Sequence, residues 1–295
     1  MKLVPIVDAT EITAKTRENI LRKSAFIDEV QYFNDGTPMF SWIDISLTEL
    51  CNRVCSFCPR ADKDFYPNQN LHLDLTLASK VASELREIGY KGGVVFCGYG
   101  EPMLHPRIFE VVRCFDGVRV ELVTNGDRLS NTIISELFEA GLNFLCVSLY
   151  DGPHQVEVFN DMFLAAGISP DKFILRDRWH SEADSFGLKL TNRAGTLSQG
   201  PRIDPYIDKP CYYSAYSLTL DWNGDVLMCV QDWSKKVKFG NINAASLESV
   251  WRSKRVATNR AKLILGDRSS APCNVCNTDG TIHGFNHVNA WQLCG

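Results

Sequence analysis

Between residues 40 and 191, short apolar runs alternate with segments of helical periodicity, and this alternation constrains the possible folds more than any other feature. Each repeat reads as a strand followed by a helix, the signature of βα units around a parallel sheet. The strand candidates are 40–47, 93–97, 119–123, 144–149, 172–175 and 188–190, and six strands are what a partial (β/α)6 barrel needs. Helices are predicted over 76–88, 106–114, 130–140 and 155–166. Pro106 suits a first helical turn, and Gly89 and Gly141 stand where glycine commonly stops a helix. Parallel barrels carry their chemistry in the loops after the strands, so functional residues are expected there.

The first of those loops holds Cys51, Cys55 and Cys58 at C-x3-C-x2-C spacing. Three thiolates this close can hold three irons of a cubane iron–sulfur cluster and leave the fourth iron open. The competing use is a tetrahedral zinc site, which needs a fourth ligand; after Cys58 no Cys or His follows until His72. A second set, Cys211, Cys229, Cys273 and Cys276, closes with a C-x2-C pair. Four thiolates would saturate a cluster and fit it for electron transfer, and they suit a structural zinc ribbon equally. Eleven cysteines in a reducing compartment point to metal or redox use and away from a disulfide framework.

A net charge of −4 without any Lys/Arg block offers no footprint for nucleic acid. The N-terminal residues 1–8 lack the apolar core of a signal peptide, and no apolar stretch reaches membrane-spanning length, so a cytoplasmic protein with no membrane partner is expected. A chain of 295 residues can bury one large core and a small satellite. We expect an N-terminal extension (1–39, helical over about 9–26) that packs on the barrel, the barrel itself (40–200), and a small domain (201–295) after a Gly/Pro-rich passage at 195–210. Within the last, 220–229 reads as a hairpin whose Asn223-Gly224 supplies a type I′ turn, and a helix begins near Ser246.

The triplet, together with Gly98-Tyr99-Gly100-Glu101-Pro102 and Thr124-Asn125-Gly126 at the ends of later strands, resembles the radical S-adenosylmethionine (radical SAM) superfamily. The order of Cys211, the hairpin to Cys229, Phe239-Gly240-Asn241 and Cys273-x2-Cys276 is similar to the SPASM and shorter Twitch domains of that superfamily. The resemblance implies an α/β fold: a partial (β/α)6 barrel with a small C-terminal Twitch/SPASM-like domain. It implies a [4Fe-4S] cluster whose open iron is chelated by S-adenosyl-L-methionine, reductive cleavage to a 5′-deoxyadenosyl radical, and hydrogen abstraction from substrate. It also implies one auxiliary [4Fe-4S] cluster and a flavodoxin or ferredoxin-type electron donor.

Residue by residue, the resemblance gives Phe57 the aromatic place before the third cysteine and aligns Gly98, Gly100 and Glu101 with the segment that meets the methionine amino group. It aligns Asn125 and Ser148 with polar residues that meet the carboxylate or ribose, and Arg193 with a contact to a carboxylate or a substrate hydroxyl. Members of this size include dehydrogenases and epimerases of sugars and aminocyclitols, which implies a small polar substrate that loses hydrogen from a carbinol carbon. Gln231 and Asp232 stand where related dehydrogenases contact substrate. Trp179 and His180 offer an aromatic platform and a donor, in a run that would equally make a solvated loop. Epimerisation would need a thiol to return hydrogen, with Cys294 or Cys97 as candidates, whereas Cys146 is expected to be buried and inert. Two alternatives stand beside this reading: a radical SAM maturase of a ribosomally made peptide, and a non-catalytic, zinc-stabilised binding protein.

Overall fold

Buried strands and amphipathic helices alternate along most of the chain in a computed structural model that describes residues 14–178, 191–197 and 208–294. Helix α1 (Ala14–Ile27) precedes β1 (Trp42–Ile45), α2 (Leu75–Glu87), β2 (Gly93–Phe96), α3 (Ile108–Cys114), β3 (Val120–Thr124), α4 (Asn131–Glu139), β4 (Phe144–Leu149), α5 (Gln155–Ala165) and β5 (Phe173–Asp177). Then come α6 (Tyr213–Tyr216), β6 (Ser217–Leu220), β7 (Asp225–Leu227), β8 (Lys238–Asn241), α7 (Leu247–Trp251), α8 (Lys254–Ile264) and α9 (Phe285–Cys294). The predicted strand at 188–190, most of the predicted linker, and Trp179 and His180 lie outside the described residues.

The helices start and stop where their end residues dictate. Asp74 caps α2 by accepting from the Thr76 N–H at 2.7 Å, and Ser130 caps α4 by accepting from the Ile133 N–H at 3.2 Å. Gly89 and Gly141 follow these helices at φ +64° and +112°, a region closed to most side chains. One face of α2, Leu77, Ala78, Val81, Ala82 and Leu85, is buried against the sheet.

Among the described residues the strands form one sheet in the order β5-β4-β3-β2-β1-β6-β7-β8. Strands β1 to β5 are mutually parallel, as βα units require. Alternation along each strand divides the chemistry. Ile43, Ile45, Val94, Phe96, Leu122, Leu145 and Val147 face the helices and make the main core. Trp42, Val95, Val123, Phe144, Cys146 and Ile174 face inward, toward the side covered by α1, where Arg22 lies 3.9 Å over the Phe144 ring and pairs with Glu121.

Two features differ from expectation. Strand β6 joins the parallel sheet on the free edge of β1, from Trp42↔Ser217 to Ile45↔Leu220, so the C-terminal part shares one hydrogen-bonded sheet with the barrel strands. The β6–β7 connection is also not a type I′ turn. Only Gly224 adopts positive φ, at +87°; the Gly224 N–H donates to the Asp221 carbonyl, and the Asn223 side chain accepts from the Asp225 N–H at 3.0 Å, which holds Asn223 out of the left-handed region.

Candidate active site

A cavity of about 570 Å³ runs along the inner face of the sheet toward the C-terminal ends of its strands. That volume suits a small-molecule site. Cys51, Cys55 and Cys58 form part of its wall, and the loop that carries them is fastened on both sides. Asn68 clamps the Cys51 backbone, accepting from its N–H at 2.8 Å and donating to its carbonyl at 3.1 Å. Arg53, inside the triplet, makes paired bonds to Asp127 (2.5 and 2.7 Å) and Asp151 (2.6 and 2.7 Å), locking the loop to the ends of β3 and β4. Burial, and then the neighbouring thiols, push Cys55 up to about 12; burial raises Cys51 and Cys58 as well.

The Gly98–Glu101 segment closes over this loop. A side chain at Gly100 would stand 2.1 Å from the Thr48 carbonyl and 2.6 Å from that of Leu50, so the glycine permits backbone contact between the β2 and β1 loops. Glu101 is buried and accepts from the Thr124 hydroxyl (2.6 Å), the Asn125 N–H (2.8 Å) and the Met103 N–H (3.1 Å). Burial still lifts its carboxyl to about 6. The Asn125 amide donates to Asn52 and accepts from the Asp127 N–H, so it too ties β3 to the triplet loop. Phe57 stacks on Tyr150 with ring centroids 5.9 Å apart. Ser148 accepts from Arg176 at 2.9 Å.

Cys97 and Asp44 meet deeper in the cavity. The Cys97 thiol donates to Asp44 Oδ1 at 3.3 Å, and the Trp42 indole donates to the same oxygen. Burial first, then the Asp44 charge, holds the Cys97 thiol well above its usual range, and burial also raises Asp44. Sequence reasoning missed Asp44, although a carboxylate in the middle of an apolar strand is a readable signal. It also missed Arg53 and Asn68, whose partners lie at long range or in irregular backbone.

The four cysteines of the second set lie near one another behind the opposite wall, Cys229 and Cys273 each feeling the charge of Cys211 and Cys276, and none of them lines the cavity itself. Cys211 and Cys276 are buried, and the Gln231 and Thr278 N–H groups each donate to a sulfur at 3.4 Å, those of Cys229 and Cys276. Gly280 lies so close to Cys211 that a side chain there would meet its sulfur at 2.3 Å. Gln231, Asn277, Thr278 and Gly280 line the cavity, as does Arg193 at φ +48°, which donates to Gln231 at 3.5 Å.

Two predicted site residues are not brought in. Asp232 is buried away from the cavity, where it accepts from the Val237 N–H, because the turn after Cys229 reverses its side chain. Cys294 is exposed on α9 and donates to the Gly36 carbonyl, outside the cavity, so it is not positioned to return hydrogen to a bound substrate.

The triplet loop is joined to the C-terminal part through Glu49, which pairs with Arg60 and Lys235; Lys235 also binds Asp221 at 2.6 Å. The model of the radical SAM superfamily matches residues 45–163, and the SPASM model, an iron–sulfur cluster-binding domain, matches residues 211–277. The chain belongs to the radical SAM superfamily. It is a radical SAM enzyme with a C-terminal SPASM-type domain. A curated relative, the S-adenosyl-L-methionine-dependent 2-deoxy-scyllo-inosamine dehydrogenase of Niallia circulans, is 26% identical over 249 residues, covering 81% of this chain and 93% of the relative. The crystal structure of BtrN in complex with AdoMet and 2-DOIA superimposes with a TM-score of 0.70 at 24% identity, covering 84% of this chain and 98% of that one. Streptococcus suis SuiB bound to precursor peptide SuiA gives a TM-score of 0.51 at 11% identity, over 89% and 73%. At those identities the two structures show the fold alone.

Membership sets the cofactors: a [4Fe-4S] cluster with S-adenosyl-L-methionine in the radical SAM part, and auxiliary iron–sulfur chemistry in the SPASM part. The donor sets fit. Soft, grouped thiols suit iron, and metal binding relieves the raised thiol pKa values by replacing protons. Iron also supersedes the two zinc readings, because both matched families bind iron–sulfur clusters or depend on one. Among the described residues no helix is long and apolar enough to cross a membrane.

Proposed function

We propose that this radical SAM enzyme removes hydrogen from a carbinol carbon of a small polyhydroxylated substrate of the sugar or aminocyclitol class. The observation that carries the proposal is the shared cavity, walled on one side by Cys51, Cys55 and Cys58 and on the other by the residues that follow Cys229 and Cys276. The 26% identity to an aminocyclitol dehydrogenase over nearly its whole length supports the substrate class. On this reading residues 40–200 form the radical-generating barrel, 201–295 the auxiliary-cluster domain and 1–39 the extension packed on it.

When bound, the cluster and S-adenosyl-L-methionine supply a hydrogen-abstracting radical, and a single auxiliary [4Fe-4S] cluster takes up an electron. Cys51, Cys55 and Cys58 would hold the first cluster; Cys211, Cys229, Cys273 and Cys276 would hold the second. Gly98, Gly100 and Glu101, on the loop packed against the triplet loop, would hold the methionine end, while Ser148 and Arg176 would offer a hydroxyl and a guanidinium to its carboxylate. Phe57 and Asn125 shape the same pocket. Arg193 and Gln231 face the substrate between the two clusters and orient its hydroxyl groups. Asp44, held in the cavity by Trp42 and Cys97, is placed to accept the carbinol proton. A flavodoxin or ferredoxin-type donor and a cytoplasmic setting complete the proposal.

A second reading, epimerisation, is favoured by one observation, the Cys97 thiol on the cavity wall. Anaerobic turnover in deuterated water separates the two. Oxidation yields 5′-deoxyadenosine and a ketone without solvent deuterium on carbon; epimerisation places deuterium on carbon and is abolished in Cys97→Ser. Formation of 5′-deoxyadenosine with neither product from any polyol would sink the substrate class.

A further inference from the structure

The charged groups of the cavity are unevenly partnered. Arg53 is paired with Asp127 and Asp151, and Arg60 with Glu49. The cavity carboxylates have partners as well: Asp44 accepts from Trp42 and Cys97 and faces Lys23, Glu101 accepts from three donors, and Asp279 accepts from the Thr281 N–H and hydroxyl. Among the described residues the arginines at the far wall have no such partner. Arg176 and Arg178 project from the same inner side of β5 and its extension, where the Arg178 N–H is fixed to the Leu149 carbonyl at 2.8 Å. Among the described residues Arg176 bonds to the Ser148 hydroxyl alone, and its buried Nε has no partner. Among the described residues Arg193 reaches the neutral Gln231 amide alone. The groups facing Arg178 are Arg176, the Tyr150 hydroxyl, the Cys146 thiol and Arg193, and among the described residues no carboxylate pairs with it.

We propose that Arg178 and Arg193 form an oxyanion subsite, so that the substrate is a polyol bearing a phosphate or carboxylate group. The inference rests on the carbinol-oxidation reading above, which already assigns Arg176 and Ser148 to the S-adenosyl-L-methionine carboxylate. That assignment leaves two guanidinium groups over. Clustered, half-buried cations of one sign repel one another unless a counter-charge reaches them, and forked guanidinium donors match the planar or tetrahedral oxygens of such a group. The subsite lies beside Gln231 and near Cys58, between the two cysteine sets, so an anion held there would fix one end of a polyol while its hydroxyl groups meet Gln231 and Thr191. A neutral Gln231 adds no repelling charge of its own beside the arginines.

The test is equilibrium binding to reconstituted enzyme with S-adenosyl-L-methionine and no reductant, by anaerobic calorimetry. The titrants are myo-inositol 1-phosphate, glucuronate, uncharged myo-inositol and glucosamine. At least one anionic polyol should bind ten times or more tighter than myo-inositol, and the phosphate and carboxylate arms tell which group is read. Arg178→Gln should abolish that preference, Arg178→Lys should restore part of it, and S-adenosyl-L-methionine affinity should stay within twofold. Gln231→Glu, which preserves shape, should weaken the anionic polyol at least tenfold and improve glucosamine. Equal affinity for charged and uncharged polyols, or no binding of either anion, overturns the subsite. So does an Arg178→Gln variant that loses S-adenosyl-L-methionine as strongly as polyol. Because no turnover is involved, a failure to form ketone would remove the proposed reaction and leave the binding preference to stand or fall separately.

Discussion

At the residue scale, Gly100 shows how closely the reactive loop is packed. A methyl group there would press on the carbonyls of Thr48 and Leu50, which lead directly into Cys51. Gly100→Ala should therefore displace the triplet loop at a cost of about 1–3 kcal/mol. Iron analysis should show loss of roughly one cluster, with 5′-deoxyadenosine formation falling at least tenfold. Cys294→Ser should keep both iron content and turnover within twofold, since the exposed thiol donates to the Gly36 carbonyl and lies outside the cavity. All seven proposed ligands were legible in the sequence, because thiolate spacing is a local property that the chain displays directly. The bonds that aim them were not. Asn68 and Arg53 act through partners 17 to 98 positions away, and nothing in local periodicity reports such pairings.

Among the elements, α9 is one that sequence patterning left without a prediction. It docks through single contacts and no regular apolar stripe: the Trp291 indole donates to the Ala215 carbonyl, Asn286 donates to the Asp28 carbonyl, and His287 Nε2 lies 3.0 Å from the Ser41 hydroxyl. His287 is fully buried, and burial pushes its pKa down from 6.5 to about 4. The unfolded chain takes up a proton at this position as pH falls below 6.5, while the folded chain resists until about 4. Stability present above 6.5 is therefore lost across that window, by about 2 kcal/mol at pH 5. Urea unfolding at pH 7 and pH 5 should show His287→Gln losing about 2 kcal/mol less than the unaltered protein over this interval. Strands β1 to β5 and α2 to α5 were readable within about two residues, because burial follows their period. The turn at Asn223-Gly224 was misread because an Asn-Gly pair fixes φ at glycine alone once the asparagine side chain finds a neighbour.

For the whole molecule, the pairing of β1 with β6 makes two apparent domains one sheet. Glu49, Lys235 and Asp221 bridge the same seam. A chain ending at residue 200 would leave the apolar strand β1 with a bare edge and Glu49 without Lys235. That truncation should yield aggregated protein on size-exclusion chromatography, and the full chain should melt in one transition by circular dichroism. No sequence pattern announced the seam, since pairing between distant strands depends on contacts that only the assembled chain makes.

The same seam has a meaning in time. Trp42 and its partner Ser217 are 175 positions apart. A ribosome adding about 5–20 residues per second takes roughly 9–35 s to synthesise the interval. Throughout it the nascent strand nearest the triplet waits with one side unsatisfied, so the span in which newly made protein is most exposed to misassembly is set by where its partner strand is encoded.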